Sequence, residues 1–178
     1  MALGATQRAR PARGAGPVLP RYRSEPLNRP KILSHGTLEC RDMAATRRFY
    51  EEFLGLECVR HGRRSMVVRC GLKFHIACVE VGYRLHPVHM LNHWGIDVRT
   101  RAEVDAAREA ALRLKDEYKM RAVHSAVEQH GLYSFYIVDL DQNWWEIQAG
   151  NTGFRHDELF DAGDQFSMEQ YAPLEKAP

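Results

Sequence analysis

A nine-residue stretch occurs twice in this chain, and the repeat limits the folds that the sequence can adopt. The first copy, at 33–41, reads LSHGTLECR, and the second, at 91–99, reads LNHWGIDVR. Aligned on His35 and His93, the copies agree in residue class at seven of nine positions. We interpret the similarity as an internal duplication in which each copy contributes one histidine.

The composition indicates an ordinary globular protein. Charged residues make up 27% of the 178 residues, hydrophobic residues make up 44%, and the formal net charge is +2, so we expect neither nucleic acid nor a membrane as partner. No apolar run approaches the ~20 residues that span a bilayer. The cysteines show no C-x-x-C spacing, so reduced core cysteines in a cytoplasmic protein are expected. They are Cys40, Cys58, Cys70 and Cys78.

The sequence divides into three parts. Residues 1–30 are rich in Ala, Arg, Gly and Pro without a regular period, which predicts a flexible or partner-wrapping arm. Residues 31–150 form the predicted domain, with one module at 31–80 and the second at 91–150. Residues 151–178, with scattered aromatics among acids and glycines, are predicted to form a C-terminal tail.

Each module is predicted to have the order β-α-β-β-β, which gives an α+β fold with a curved mixed sheet. Asp42 can begin a helix at 43–54 and Gly55 can end it, while Thr100 and Glu103 form a capping-box pattern before the second helix. The predicted strands are about 31–41, 56–61, 65–70 and 72–80 in the first module, and about 91–99, 121–129, 132–139 and 143–149 in the second.

Two histidines and one carboxylate suggest a metal site inside this sheet. Alternation places His93, and by the repeat His35, on the face that a curved sheet would cup. Glu146 lies within an apolar strand, where a carboxylate is costly to bury unless it is paired or bound to a metal. Two histidines and a carboxylate bind divalent metals on one triangular face. The alternative interpretation is that His35, His93 and Glu146 are unrelated polar residues without a shared ligand. His75 is the first-module counterpart of Glu146.

At these residues the chain resembles the vicinal-oxygen-chelate superfamily, which includes glyoxalase I, bleomycin and fosfomycin resistance proteins, methylmalonyl-CoA epimerase and extradiol dioxygenases. The resemblance covers about 31–150 and is strongest to single-domain type I extradiol dioxygenases. Tyr136 precedes Glu146 by ten residues, as in that family's signature, and a histidine, His130, lies upstream. The chain departs from the signature at Leu140, where the family has proline, and at Gln142, where it has glycine. His130 also lies one residue closer to the tyrosine than in the signature.

The resemblance implies a role for each of these residues. His35, His93 and Glu146 would bind Fe(II), with Mn(II) as the alternative metal. His75 would shuttle a proton, Tyr136 would hydrogen-bond a substrate hydroxyl, and His130 would lie on the oxygen side or behind the ligands. The implied reaction inserts O2 into the ring of a small aromatic diol, beside the diol. A homo-oligomer is expected.

Two other functions remain open. In a glyoxalase-like or epimerase-like metal enzyme, His75 would be a fourth metal ligand instead of a proton shuttle. In a resistance-type binding protein, the domain would sequester an aromatic drug without a metal.

Overall fold

The structure is a computed structural model, and it describes residues 31–71, 73–86, 88–129 and 131–150. The predicted arm and tail therefore lie outside the described residues. In chain order the elements are β1 His35–Cys40, α1 Met43–Glu52, β2 Glu57–Gly62, β3 Ser65–Arg69, β4 His75–Glu80, a 3₁₀ turn at Met90–Asn92, β5 Trp94–Asp97, α2 Arg101–Leu114, β6 Ala122–Val123, β7 Val127–Gln129, β8 Leu132–Val138 and β9 Trp144–Ala149.

The first module is a mixed sheet in the order β1-β4-β3-β2, with β1 parallel to β4. Helix α1 begins where predicted, because the Asp42 carboxylate accepts a hydrogen bond from the Ala45 backbone N–H at 2.9 Å. Gly55 follows the helix with φ +69°, a left-handed conformation that costs glycine little. Local signals thus fix both ends of the α1 segment.

The second module is a mixed sheet in the order β5-β9-β8-β6, with β7 also paired to β8. Helix α2 begins with the predicted capping box between Thr100 and Glu103. Several predicted strands are shorter in the structure, among them two of this module. The segment predicted as one strand at 121–129 forms β6 and β7, and the one predicted at 91–99 is extended only from Trp94, after a 3₁₀ turn.

The apolar faces of both sheets share one core. Leu38 of β1, Phe49 and Tyr50 of α1, Phe135 of β8 and Trp145 of β9 are buried in the same cluster. The predicted core cysteines are free, and Cys40, Cys58 and Cys78 are buried. Cys70 is exposed, because it follows the end of β3 at the edge of the core. The prediction was therefore wrong for that residue.

A buried polar turn between β8 and β9 ties the second module to α1. The Asp139 carboxylate accepts hydrogen bonds from the Tyr50 hydroxyl at 3.0 Å and the Trp145 indole N–H at 3.1 Å. Asp141 in the same turn accepts one from the Thr46 hydroxyl at 2.5 Å. Burial, and then the charge of Asp141, raise the pKa of Asp139 to about 6. This turn fixes the start of β9, the strand that carries Glu146.

The predicted α+β class with duplicated β-α-β modules is confirmed. Within the part of the chain that the structure describes, no helix combines the length and apolar character needed to cross a bilayer.

Candidate metal and substrate site

His93 and Glu146 form a close pair on the second module. The His93 Nδ1–H donates a 2.7 Å hydrogen bond to the Met90 carbonyl, which can only accept. This bond turns Nε2 toward the Glu146 carboxylate, whose Oε2 lies 3.1 Å away. The Glu146 side chain is 9% exposed and that of His93 is 28% exposed. A largely buried carboxylate therefore faces an imidazole that is already oriented.

This donor set suits a divalent cation. With Nδ1 acting as the donor, a neutral His93 presents the Nε2 lone pair directly to Glu146, and only a proton or a cation between them relieves the repulsion. A carbonyl that accepts from the far nitrogen is the usual outer support of a metal-binding histidine. His93 and Glu146 therefore fit the role of two of the ligands of a metal ion.

Tyr136 borders the same pair. It lies directly opposite Glu146 in the β8–β9 register, and its ring meets the His93 ring edge-on at 5.2 Å between centroids. Burial, and then the Glu146 carboxylate, raise the pKa of Tyr136, so its hydroxyl remains protonated at neutral pH. The Gln129 side-chain N–H donates to that hydroxyl at 3.2 Å. Tyr136 can thus donate a hydrogen bond to a bound molecule.

Trp144 forms one side of this face, because alternation along β9 puts it on the same face as Glu146. Its ring centroid is 6.3 Å from that of Tyr136, and its indole N–H donates to the Val88 carbonyl at 3.2 Å. His124 stacks on Trp144 with 5.1 Å between centroids. The sequence interpretation did not assign His124 or Gln129 to the site. It predicted 121–129 as one strand, whereas the structure interrupts that segment between β6 and β7.

His35 and His75 form a second pair on the first module. Strands β1 and β4 are parallel neighbours, and their register places His35 directly beside His75. The two rings stack at 5.4 Å between centroids and 15° between planes. The Ser34 hydroxyl lies 2.8 Å from His35 Nδ1. Both imidazoles project from the sheet face opposite the core.

The two modules contact each other beside the repeated histidines. Trp94, the residue after His93, lies against Gly36, the residue after His35: a Cβ on Gly36 would be 2.2 Å from the Trp94 ring. Nevertheless, among the described residues no three His, Cys, Asp or Glu side chains are close enough together to hold a metal ion. The three-ligand site of His35, His93 and Glu146 therefore stays a prediction.

The two modules match in the position at which each helix begins, but they differ by two residues in the register of their parallel strands. Each helix is capped by a residue seven positions after the repeated histidine, Asp42 in one copy and Thr100 in the other. His35 pairs with His75, but the residue that pairs with Glu146 is Gly95, two positions past His93. The equivalence inferred from the sequence is thus two residues out of register, although an even offset leaves every side chain on the same face.

His130 lies outside the described residues, so its predicted role stays a prediction. The other predicted site residues are described, and the structure groups them as His35 with His75 and as His93 with Glu146 and Tyr136.

A cavity of about 610 Å³ opens beside His93. Its lining includes Thr37 and Glu39 of β1, His86 of the linker, and Trp94. The Glu39 carboxylate accepts hydrogen bonds from the His86 backbone N–H at 2.9 Å and from the His86 ring at 2.7 Å. The backbone hydrogen bond in particular lowers the pKa of Glu39. The cavity is large enough for a small organic molecule and has an anionic group on its wall.

This architecture is the fold shared by glyoxalases and fosfomycin resistance proteins. The similar solved structures include lactoylglutathione lyase from Agrobacterium tumefaciens, at 23% identity, covering 71% of this chain and all of that one, with a TM-score of 0.53. The fosfomycin resistance protein from Listeria monocytogenes is 23% identical, covers 70% and 97% of the two chains and gives a TM-score of 0.55. The fosfomycin resistance protein from Mesorhizobium loti is 18% identical, covers 70% of this chain and 96% of its own, and gives a TM-score of 0.53.

At these identities the likeness concerns the fold. It shows that these structures share the fold of this chain, and it does not single out the ring-cleaving dioxygenases. No family model matches the chain, and no curated protein matches it.

Proposed function

We propose that this chain is a divalent-metal-dependent extradiol dioxygenase that opens the ring of a catechol-type substrate with O2. The observation that carries the proposal is the approach of His93 Nε2 to Glu146 Oε2 at 3.1 Å, with the protonated Tyr136 hydroxyl on the same face. An oriented imidazole beside a buried carboxylate provides two metal ligands.

His93, Glu146 and the predicted third ligand His35 would hold the metal. Bound there, a ferrous ion would supply the Lewis acidity and the electron transfer that ring cleavage with O2 requires. Three protein ligands leave coordination positions for both oxygens of the substrate and for O2. Both atoms of O2 enter the product, a muconic semialdehyde.

The remaining residues would bind and deprotonate the diol. Tyr136 would hydrogen-bond a substrate hydroxyl, since its own hydroxyl stays protonated beside Glu146. His75 is the proposed proton acceptor: it takes the proton that one hydroxyl loses and returns it later to the opened product. Trp144 forms an aromatic wall beside Tyr136.

A second candidate is a glyoxalase-like or epimerase-like metal enzyme. The observation that favours it is the stacking of His35 on His75, which places two imidazoles from the first module side by side. In that case both would be metal ligands. The similarity to a lactoylglutathione lyase structure supports the same candidate at the level of the fold.

The test is an assay of protein loaded with Fe(II) under anaerobic conditions and then exposed to air with a panel of one-ring catechols. We expect O2 uptake and a yellow ring-fission product. His93→Ala should abolish both, while His61→Ala, a change of an exposed histidine on β2, should leave both unchanged. Metal-loaded protein that consumes no O2 with any catechol would contradict the proposal.

A further inference from the structure

The cavity beside His93 has a carboxylate in its wall that none of the roles assigned above uses. The cavity has a volume of about 610 Å³. The Glu39 side chain lines it and is 30% exposed, so a molecule in the cavity can contact the carboxylate. Among the described residues, two histidines but no lysine or arginine line this cavity. The described wall therefore has a fixed negative charge and no fixed positive charge.

Like the proposed metal ligands, Glu39 lies on the face of its sheet that points away from the shared core. Leu38 is buried in that core, so alternation along β1 turns Glu39 to the opposite face, together with His35. His93, which lies beside Glu146, lines the same cavity as Glu39. Glu39 is four residues beyond His35, a distance of about 13 Å along a strand. A molecule that binds at His93 and Glu146 therefore needs a substituent beyond its ring to reach Glu39.

The Glu39 carboxylate is ionised and has room for a further hydrogen-bond donor. It accepts hydrogen bonds from the His86 backbone N–H at 2.9 Å and from the His86 ring at 2.7 Å. The backbone hydrogen bond first, and then the ring, lower the pKa of Glu39, so it carries its charge at neutral pH. A carboxylate has about four lone-pair sites, and His86 fills only two of them. Glu39 can thus accept from a ligand while it still holds His86.

We propose that Glu39 forms a subsite for a positively charged substituent, so that the substrate is a catechol with an aminoalkyl side chain. The catechol part of this inference rests on the proposed function, whereas recognition of the ammonium group does not. An ammonium group offers three donors and a charge opposite to that of Glu39. A carboxylate at the same place would be repelled by Glu39. Glu39 therefore discriminates between cationic and acidic catechols.

The test of the subsite is an NMR titration of metal-free protein with three ligands that share a phenyl ring and differ at the end of a short chain. They are 2-phenylethylamine, 2-phenylethanol and phenylacetate. The amine should bind about fivefold more tightly than the alcohol, the upper range for a partly exposed ion pair, and phenylacetate should bind more weakly than the alcohol. About 0.5 M NaCl should remove most of the difference, because salt screens partly exposed charges. Equal affinities of the amine and the alcohol would overturn the proposal.

Three variants separate the charge of Glu39 from its contact with His86. Glu39→Gln removes the charge and keeps an oxygen that can accept from the His86 N–H, so the preference for the amine should disappear. Glu57→Gln, the matched loss of charge at an exposed residue of β2, should keep the preference. His86→Ala removes the ring and leaves the charge, so the preference should persist.

The rival explanation is that Glu39 only fastens the linker to β1. In that case Glu39→Gln and His86→Ala would change binding of the amine alike, and this result would overturn the proposal. If Glu39→Gln does not fold, the selectivity of the wild-type protein and its dependence on salt still decide.

An activity assay after Fe(II) loading separates this inference from the proposed function. In the wild type, 4-(2-aminoethyl)catechol should have a higher kcat/KM than 3,4-dihydroxyphenylacetate, and the ratio should fall in Glu39→Gln. Preferential binding of the amine without cleavage of any catechol would refute the dioxygenase proposal and keep the subsite. Cleavage of catechols together with equal binding of the amine and the alcohol would refute the subsite alone.

Discussion

Trp94 lies so close to the α-carbon of Gly36 that a Cβ at residue 36 would come within 2.2 Å of the indole ring. Gly36 follows the first repeated histidine and Trp94 follows the second. This contact therefore joins the two modules beside the repeated histidines. Glycine is required at residue 36 because a side chain has no room there. Its backbone conformation is not the reason, because its φ lies outside the left-handed region.

Gly36→Ala should destabilise the fold by about 1–3 kcal/mol, the usual cost of inserting a group into a packed contact. The measurement is urea unfolding. Gly95→Ala is the matched control, because its nearest new contact is Gln148 Nε2 at 3.7 Å. Equal effects of the two substitutions would contradict the proposed contact.

Glu146→Gln should weaken divalent metal binding by more than about 100-fold, beyond the 10- to 100-fold typical of outer partners. The amide keeps the shape of the side chain and can donate to His93 Nε2, so the fold should persist. Titration calorimetry with Fe(II) or Mn(II) provides the measurement. Glu128→Gln, which removes an exposed partner of Arg101, serves as the control and should bind metal like the wild type.

His75→Ala should keep the metal and lower turnover of catechols by about 10²- to 10⁴-fold, the usual reach of acid–base catalysis. Metal analysis and O2 uptake are measured on the same sample. A variant that loses its metal would identify His75 as a ligand and favour the glyoxalase-like candidate.

Stability should fall as pH rises from about 4 to about 6, because the buried Asp139 retains its proton in the folded protein over that window. Its folded pKa is about 6, and its unfolded pKa is about 3.9. The folded state therefore binds more protons than the unfolded state between these pH values. Up to about 3 kcal/mol of the free energy of unfolding that is present below pH 4 is lost above pH 6.

Urea unfolding of the wild type and of Asp139→Asn at several pH values tests this. The variant cannot titrate at residue 139, so its stability should change less between pH 4 and pH 6 even if it is less stable overall. Asp141 lies in the same turn, and its pKa is also raised, mainly by burial. The difference in pH dependence between the wild type and the variant therefore includes the interaction between the Asp139 and Asp141 carboxylates. Identical pH dependence in both proteins would refute the assignment.

Gln142→Gly should stabilise the protein by about 1 kcal/mol, because Gln142 has φ +69° and a side chain strains that conformation. The residue lies in the turn before β9. Lys115→Gly, at φ −52° after α2, is the opposing control and should destabilise by about the same amount. Thermal or urea unfolding of both variants distinguishes the signs.

Local parts of this structure were predictable because neighbouring residues determine them. The Asp42 cap, the turn at Gly55 and the capping box of Thr100 and Glu103 each depend on groups within a few positions of one another. The departure of Gln142 from glycine in the family signature likewise coincides with a left-handed residue. The broken strand at 121–129 was missed because apolar residues alone do not show where a ladder is interrupted.

The sequence by itself determined the duplication, the α+β class and the residue types of the candidate site, because periodicity and repeated spacing are written along the chain. Only the tertiary structure decided that His35 pairs with His75 and His93 with Glu146. Those partnerships depend on the register of parallel strands that lie about 40 to 50 residues apart in the sequence. The register differs by two residues between the modules, since Gly95, and not His93, is paired with Glu146. The two modules also meet where Trp94 packs on Gly36, a contact between modules that no local pattern encodes.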